Sequence, residues 1–397
     1  MAKKCEDITI IGGGLIGLFL APILAKLNFK VALVDKEKIA QKTNIENDSR
    51  TIAISLGTKL FLEKYGIWKK ISRYAEPINQ IEVLNRESNS NIFFNNNNDS
   101  KSPMGFIVEN KIIKKILIEK IKSTKNINIF DSTEIDNIVP NSNSILVNSV
   151  NNIIESKLVI AADGKNSFIK SLYKFPSYNI KYNQAALVTN IQHSKNHKNT
   201  AFEIFLPNGP LAMLPMKSFK KNIYKSSLIW TENISTINKM KKMELNSVKD
   251  LIEGNIYKYL GKVLKIDSFK MFPLSAHVCR KFYNKRIVLV GDSAHSIHPI
   301  AGQGWNLGMR DVKYLVETLY ESKKFGLDIG SLEILKKYNN NRFADVSSML
   351  FITHSLNKVF LSKSNFINNL RSIGFNYINK RKKITSSLVN YAMGVNL

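Results

Sequence analysis

Six residues near the start of the chain, Gly12-Gly13-Gly14-Leu15-Ile16-Gly17, restrict its fold more than any other feature. They follow an apolar run, Ile8 to Ile11, that reads as a buried strand, and they open Leu15 to Leu27, which reads as a helix. Val31 to Val34 reads as a second buried strand. Gly12 permits the tight turn, Gly14 lets backbone approach a pyrophosphate, and Gly17 lets the helix pack closely on the strand. The unpaired N–H groups at the helix start then meet the phosphates. Asp35 ends the second strand at about the 20-residue distance expected of a carboxylate that holds a ribose hydroxyl. The opening is therefore a βαβ dinucleotide-binding unit.

The glycines also settle what the apolar N-terminal stretch is not. A membrane span needs about 20 continuous apolar residues, and Ile8 to Leu27 is interrupted by Gly12, Gly13, Gly14, Gly17 and Pro22. Glu6 and Asp7 spoil a signal-peptide reading that Lys3 and Lys4 would otherwise invite. Cys5 and Cys279 are too few for a disulfide framework, and a reducing cytosol fits them best. With 58 Lys+Arg against 31 Asp+Glu the chain carries a net charge of +27. Its lysines are scattered and no nucleic-acid-binding motif accompanies them, so the excess reads as surface composition and no nucleic-acid partner is expected. Two clusters stand out: Lys217, Lys220, Lys221 and Lys225, and the C-terminal Arg371, Lys380, Arg381, Lys382 and Lys383. A solvated face is the default for both. The second also lies among Phe375, Tyr377, Ile378, Ile384 and Leu388, as a basic amphipathic helix on anionic lipid would.

Glycines recur far downstream, in IVLVGDSAHSIHPIAGQGWNLGMRDV from Ile287 to Val312. A buried strand, Ile287 to Val290, delivers Gly291 and Asp292 to a loop, where the carboxylate can accept from ribityl hydroxyls. After Pro299, Gly302 and Gly304 allow the backbone to lie against a planar ring, and a helix from about Asn306 to Tyr320 points its N-terminal N–H groups at that ring. A reduced flavin is negative along one edge, and a helix N-terminus favours such charge by about 1 kcal/mol. His295 and His298 have the spacing of a metal pair on a helix, but they fall in the loop with no third ligand, so no metal is expected. Trp305 reads equally as a neighbour of the ring or as core. Between these ends, Glu87 to Ser102 reads as an Asn-rich exposed loop, Gly105 to Lys125 as a strand and helix, and Ile153 to Ala161 as a strand. From Asn179 to Phe272 the runs alternate as in an antiparallel sheet, and the region beyond the glycine-rich loop reads as mostly helical.

These two segments, with Asp163-Gly164 in LVIAADGKNSFIK, resemble the three fingerprints of flavoprotein aromatic hydroxylases of the para-hydroxybenzoate hydroxylase type. The resemblance extends to the ubiquinone-biosynthesis hydroxylases through DSRTIAIS around Arg50, GFIVEN, FLPNGPLAMLP, SLIWT, FPL, HPIAGQGWNLGMRDV and YAMGV. It spans nearly the whole chain. The fold it implies is α/β, a Rossmann-like FAD-binding domain of glutathione-reductase type with an inserted mixed or antiparallel sheet and a helical C-terminal region. The expected domains are 1–178 with 276–335 for FAD, 179–275 for substrate with help from 80–110, and 336–397 as the helical end.

It further implies an FAD enzyme, reduced by NAD(P)H, that captures O2 as a C4a-hydroperoxide and hydroxylates the ring of a polyprenylated phenol. Gly12, Gly14 and Gly17 would hold the pyrophosphate, Asp35 the adenosine ribose, Arg50 the pyrophosphate or ribityl chain, and Asp292 the ribityl group. Pro299, Gly302, Gln303, Gly304 and Asn306 would form the isoalloxazine loop. Asp163 with Gly164 would turn near the pyrophosphate, with a part in nicotinamide nucleotide binding. No catalytic acid or base is legible. A cytoplasmic protein peripheral at the inner face of the membrane, or within a quinone-biosynthesis complex, is the expected setting. The alternatives are a flavoprotein acting on another prenyl lipid or soluble phenol, and a non-catalytic flavoprotein subunit.

Overall fold

The computed structural model describes residues 2–43, 48–86, 90–95, 102–362, 364, 367, 371, 373–374, 377 and 381–394. Among these residues a six-stranded sheet forms the centre, in the order Tyr283–Asn284, Ile287–Leu289, Leu158–Ala161, Ile8–Ile11, Val31–Val34, Ile127–Phe130. Every pairing from Ile287–Leu289 to Ile127–Phe130 is parallel. Ile8–Ile11, Val31–Val34, Leu158–Ala161 and Ile287–Leu289 are buried throughout, as their continuous apolar runs require of strands covered on both faces. The strand Ile8–Ile11 lies between Val31–Val34 and Leu158–Ala161. The chain thus leaves this strand toward both sides, and a crevice opens beyond its carboxyl end. The first helix, Leu15–Lys26, buries Leu18, Phe19, Leu20, Ile23 and Leu24 against the sheet.

A larger sheet of nine strands is built on Ser177–His193, which pairs antiparallel with Tyr224–Asn233 and Lys270–Cys279. Gly209–Met216 and Thr200–Leu206 extend it, and Gln80–Asn85 joins parallel to Thr200–Leu206. Two helices, Ile234–Lys241 and Leu245–Leu260, cover one face, the second burying Val248, Ile252, Ile256 and Leu260 at four-residue spacing. Both helices fall where the alternating runs predict sheet alone. Their Lys-rich outer faces dilute the helical period. Smaller sheets join Ala2–Cys5 with Asn152–Ser156, Ile145–Ser149 and Ile135–Pro140, and Gly105–Glu109 with Thr51–Ser55 and Glu76–Ile78.

Three local expectations change. Within the predicted loop Glu87 to Ser102, Ser90–Asn95 is a strand antiparallel to Gln80–Asn85, because Ile92 finds a buried place there; residues 87–89 and 96–101 lie outside the described residues. The single strand Ile153 to Ala161 is two, Asn152–Ser156 and Leu158–Ala161, which belong to different sheets. The loop helix starts at Gly304 rather than near Asn306 and runs to Lys324.

A long helix, Leu332–Leu361, and a C-terminal helix, Lys382–Met393, complete the fold. Arg371 does not join a basic face. It is buried, donating from Nη1 to Phe360 O (3.2 Å) and from Nη2 to Ser362 O (3.0 Å), where it neutralises carbonyls at the end of the long helix. Arg381, Lys383, Tyr377 and Leu388 are exposed, whereas Phe375, Ile378, Lys380 and the side chains of Lys382 and Ile384 lie outside the described residues. No described helix is long and apolar enough to cross a membrane.

Candidate functional site

The first glycine turn is built on contacts that leave no room for a side chain. Gly12 has φ +110°, donates to Val34 O (2.8 Å), and a Cβ on it would stand 2.4 Å from Ala162 O. A Cβ on Gly17 would stand 1.9 Å from Gly12 O. Gly14 caps the first helix with no side-chain hydrogen bond, so among the described residues no side chain caps the first-turn N–H groups. Asp35 is buried beneath the turn; its carboxylate accepts from Gly13 N and, through Oδ1, from Glu37 N (2.8 Å). Asp35 thus braces the loop through its carboxylate.

The second turn meets the first. Gly291 has φ +57°, and a Cβ there would stand 3.0 Å from Ile16 Cγ1; a Cβ on Gly308 would meet Ile16 Cδ1 at 3.0 Å and Gly291 Cα at 3.4 Å. Ile16, inside the first fingerprint, is therefore seated in a notch of two glycines nearly three hundred residues downstream. Trp305 reaches across in the other direction and packs on Phe19 of the first helix, ring centroids 5.5 Å apart. Its Nε1 is buried without a partner among the described residues.

Asp163 and Gly164 lie at the same junction. Ser293 Oγ donates to Asp163 Oδ1 (3.0 Å) and accepts from Gly164 N (3.0 Å), so it stitches the Asp-Gly turn to the second glycine segment. Sequence reasoning missed Ser293, whose only signal was its place beside Asp292. Asp292 is exposed between the buried Gly291 and Ser293. Protein nevertheless crowds around it, and this desolvation raises its carboxyl above the usual value against the opposing pull of His295 and Lys165.

A buried charge cluster fixes this turn from behind. Asp311 is fully buried and accepts from Gly291 N (2.9 Å), His295 Nε2 (2.6 Å) and Arg342 Nε (2.7 Å). Arg342, also fully buried, reaches Asp345 too, and Asp345 accepts from Arg310 (3.0 Å). Burial alone would raise the Asp311 carboxyl, yet His295 and Arg342 together hold it below the ordinary carboxylate value. The His295 ring is thus engaged with Asp311, and the described residues contain no group of three or more His, Cys, Asp or Glu able to hold a metal ion.

The loop between them is glycine-shaped. Pro299 O accepts from Gly302 N (3.0 Å), Gly302 has φ +60°, and a Cβ on it would stand 3.7 Å from Ala53 Cβ. Gln303 is the N-cap of the loop helix and makes no side-chain capping hydrogen bond, and Gly304 is the helix's first residue. Asn306 is buried, with its side chain spent on Thr51–Ser55: Oδ1 accepts from Ser55 N (3.0 Å) and Nδ2 donates to Ala53 O (2.8 Å). Asn306 thereby ties the loop helix to that strand. Arg50 forms a bidentate pair with buried Asp48 (2.7 and 2.9 Å) and faces Phe272 of the large sheet at 5.9 Å. Burial pushes the Asp48 carboxyl up, but Arg50 and Lys114 outweigh it and hold the carboxyl low.

Two uncapped helix N-termini, a crowded carboxylate at Asp292, an unpartnered indole N–H and glycines at each close approach fit FAD. Gly12, Gly14 and Gly17 would take the pyrophosphate, Asp35 the ribose, Asp292 the ribityl chain and the Pro299–Gly304 loop the isoalloxazine.

Known proteins bear on the cofactor and the fold. The chain is similar to a ubiquinone hydroxylase of Rhodospirillum rubrum, 28% identical over 395 residues, covering 99% of this chain and 90% of the relative. It is also similar to the 3-demethoxyubiquinol 3-hydroxylase of Escherichia coli, 27% identical and covering all of both chains. Among solved structures, p-nitrophenol 4-monooxygenase from Pseudomonas putida shares the fold with a TM-score of 0.81 at 16% identity, covering 100% of this chain and 99% of that one. The family model described as the FAD binding domain matches residues 6–350, and this chain belongs to that FAD-binding family.

Proposed function

We propose that this protein is an FAD-dependent monooxygenase that hydroxylates the aromatic ring of a polyprenylated phenol in ubiquinone biosynthesis, using O2 and electrons from NAD(P)H. The observation that carries the reading is the end-to-end similarity to relatives named ubiquinone hydroxylase and 3-demethoxyubiquinol 3-hydroxylase, joined to the interlock of both glycine segments at Ile16. The bound flavin supplies the redox chemistry and the activation of O2. The protein's own part is to bind, orient and keep dry. The helix starts at Gly14 and Gly304, which have no side-chain cap, favour anionic oxygens of the cofactor. Ala53, Leu56, Leu214 and Met216 pack with Val389 and Met393 of the C-terminal helix, an apolar wall beside the Gly302 loop suited to a greasy substrate and to exclusion of water.

The domain division supporting this reading takes 1–178 with 276–335 as the FAD domain and 179–275 as the substrate domain. A peripheral stance at an anionic membrane is part of the proposal. It is supported by exposed Phe351, Ile352, Leu356 and Val359 on the long helix beside Lys358, and by exposed Arg381 and Lys383. To test the function, the FAD-loaded protein is given a short-chain prenylated phenol, NAD(P)H and isotopically heavy O2. The expected product is the ring-hydroxylated phenol carrying one heavy oxygen. NAD(P)H oxidation without labelled product would favour a reductase or another substrate.

A further inference from the structure

His298 stands where the flavin loop meets the large sheet. It directly precedes Pro299, is fully buried, and sets its ring edge-to-face against Tyr182 of Ser177–His193, centroids 4.9 Å apart at 89°. Its protonation follows from one contact. Ile300 N lies 3.4 Å from Nδ1, and a backbone N–H can only donate, so Nδ1 accepts and the proton of the neutral ring is on Nε2. Burial, reinforced by His354, pushes the ring's pKa down to about 4, so it is neutral at physiological pH. The titratable groups facing it are Tyr182 from the sheet and His354 from the long helix. These two are engaged with each other, Tyr182 Oη 3.2 Å from His354 Nδ1. Nε2–H is left buried with no acceptor among the described residues.

A buried donor of this kind is costly unless something supplied later satisfies it. The Tyr182 contact places the ring beside the large sheet, which the function proposed above assigns to the substrate. We propose that His298 Nε2–H donates a hydrogen bond to the ring oxygen of the bound phenol and favours its phenolate form. This inference rests on the function proposed above. The phenol proton leaves to solvent, and the oxygen's negative charge, delocalised into the ring, makes the ring carbons better nucleophiles toward an electrophilic oxygen.

The test uses the full, FAD-loaded chain with 2-prenylphenol as probe, following ionisation of the bound phenol by ultraviolet difference titration. His298→Leu removes the donor. The apparent pKa of bound phenol should rise by about one unit, a tenfold loss of phenolate at fixed pH. kcat should fall in step, recovering as pH is raised, with KM changing less. His298→Gln, whose amide N–H reaches the Nε2 position, should restore both. Should the leucine variant fail to fold, His298→Asn takes its place, since its amide N–H stops near the Nδ1 position. Equal phenol pKa values in all variants would overturn the inference. So would a shift in flavin absorbance with phenol ionisation unchanged, which would assign the donor to the cofactor, or a wild-type protein that does not bind the probe. Phenol binding with the expected shift but no hydroxylated product would leave this contact standing and remove the monooxygenase reading instead.

Discussion

The two turns that meet at the cofactor site are secured by opposite means. Around Gly12 and Gly17 the structure removes side chains so that backbone touches backbone, with Cβ clearances of 2.4 and 1.9 Å. Around Gly291 it buries charge, setting Asp311, His295, Arg342 and Asp345 behind a single backbone N–H. The first device tolerates no added atom. The second tolerates no missing partner, because a lone buried charge is strongly destabilising.

Four experiments press on that contrast, from the largest effect to the smallest. Gly17→Ala should be most damaging: its methyl overlaps Gly12 O, and we expect loss of bound FAD with destabilisation on the order of 4 kcal/mol or more. The flavin-to-protein ratio after purification checks it, and a fully loaded variant would show that the turn can relax. Arg342→Ala should cost about 3–5 kcal/mol in denaturant unfolding by stranding Asp311, whereas Arg342→Met with Asp311→Asn should recover much of the loss. If the double variant is no better than the single one, charge isolation is not the cause.

Acid should act on the second turn before the first. His277 and His298 flank it, His193 lies in the large sheet, and burial lowers each pKa to about 4, whereas Gly12–Gly17 contains no histidine. Between pH 6.5 and 4 the unfolded chain binds more protons at these sites than the folded one. Their contribution is therefore complete above about pH 6.5 and is lost as pH falls toward 4, up to about 3 kcal/mol for each ring. Urea midpoints at pH 7 and pH 5 should separate clearly; coincident midpoints would show that the rings are solvated. Finally, Phe19→Leu removes the ring that meets Trp305 and should cost about 1 kcal/mol, visible as altered tryptophan emission. Unchanged emission would mean that the Phe19 ring does not shape the surroundings of Trp305.

This contrast also explains what can be read from the sequence. Glycine spacing is legible because close approach demands that residue and few other roles do, so Gly12, Gly14, Gly17, Gly291 and Gly302 stand out in the amino-acid sequence itself. Ser293 and Arg342 do not. A serine is common in any turn, and an arginine inside the polar pattern of the long helix looks like surface until Asp311, 31 residues earlier, is seen to face it. The helix Leu245–Leu260 is hidden in a similar way, its buried stripe of Val248, Ile252, Ile256 and Leu260 interrupted by lysines and asparagines that belong to its wet side. Buried strands such as Ile287–Leu289 read easily, since nothing polar dilutes them.

The order of strands in the central sheet bears on how the protein is made. Ile8–Ile11 pairs with Leu158–Ala161, whose other edge is filled only by Ile287–Leu289, and the carbonyl of Gly394 finally packs on Gly57. At roughly 5–20 residues per second of synthesis, the N-terminal βαβ unit waits many seconds on the ribosome with a hydrophobic edge uncovered. The nascent chain thus needs shielding until Ile287–Leu289 has been made, and the cofactor pocket cannot close before that strand and its glycine turn exist.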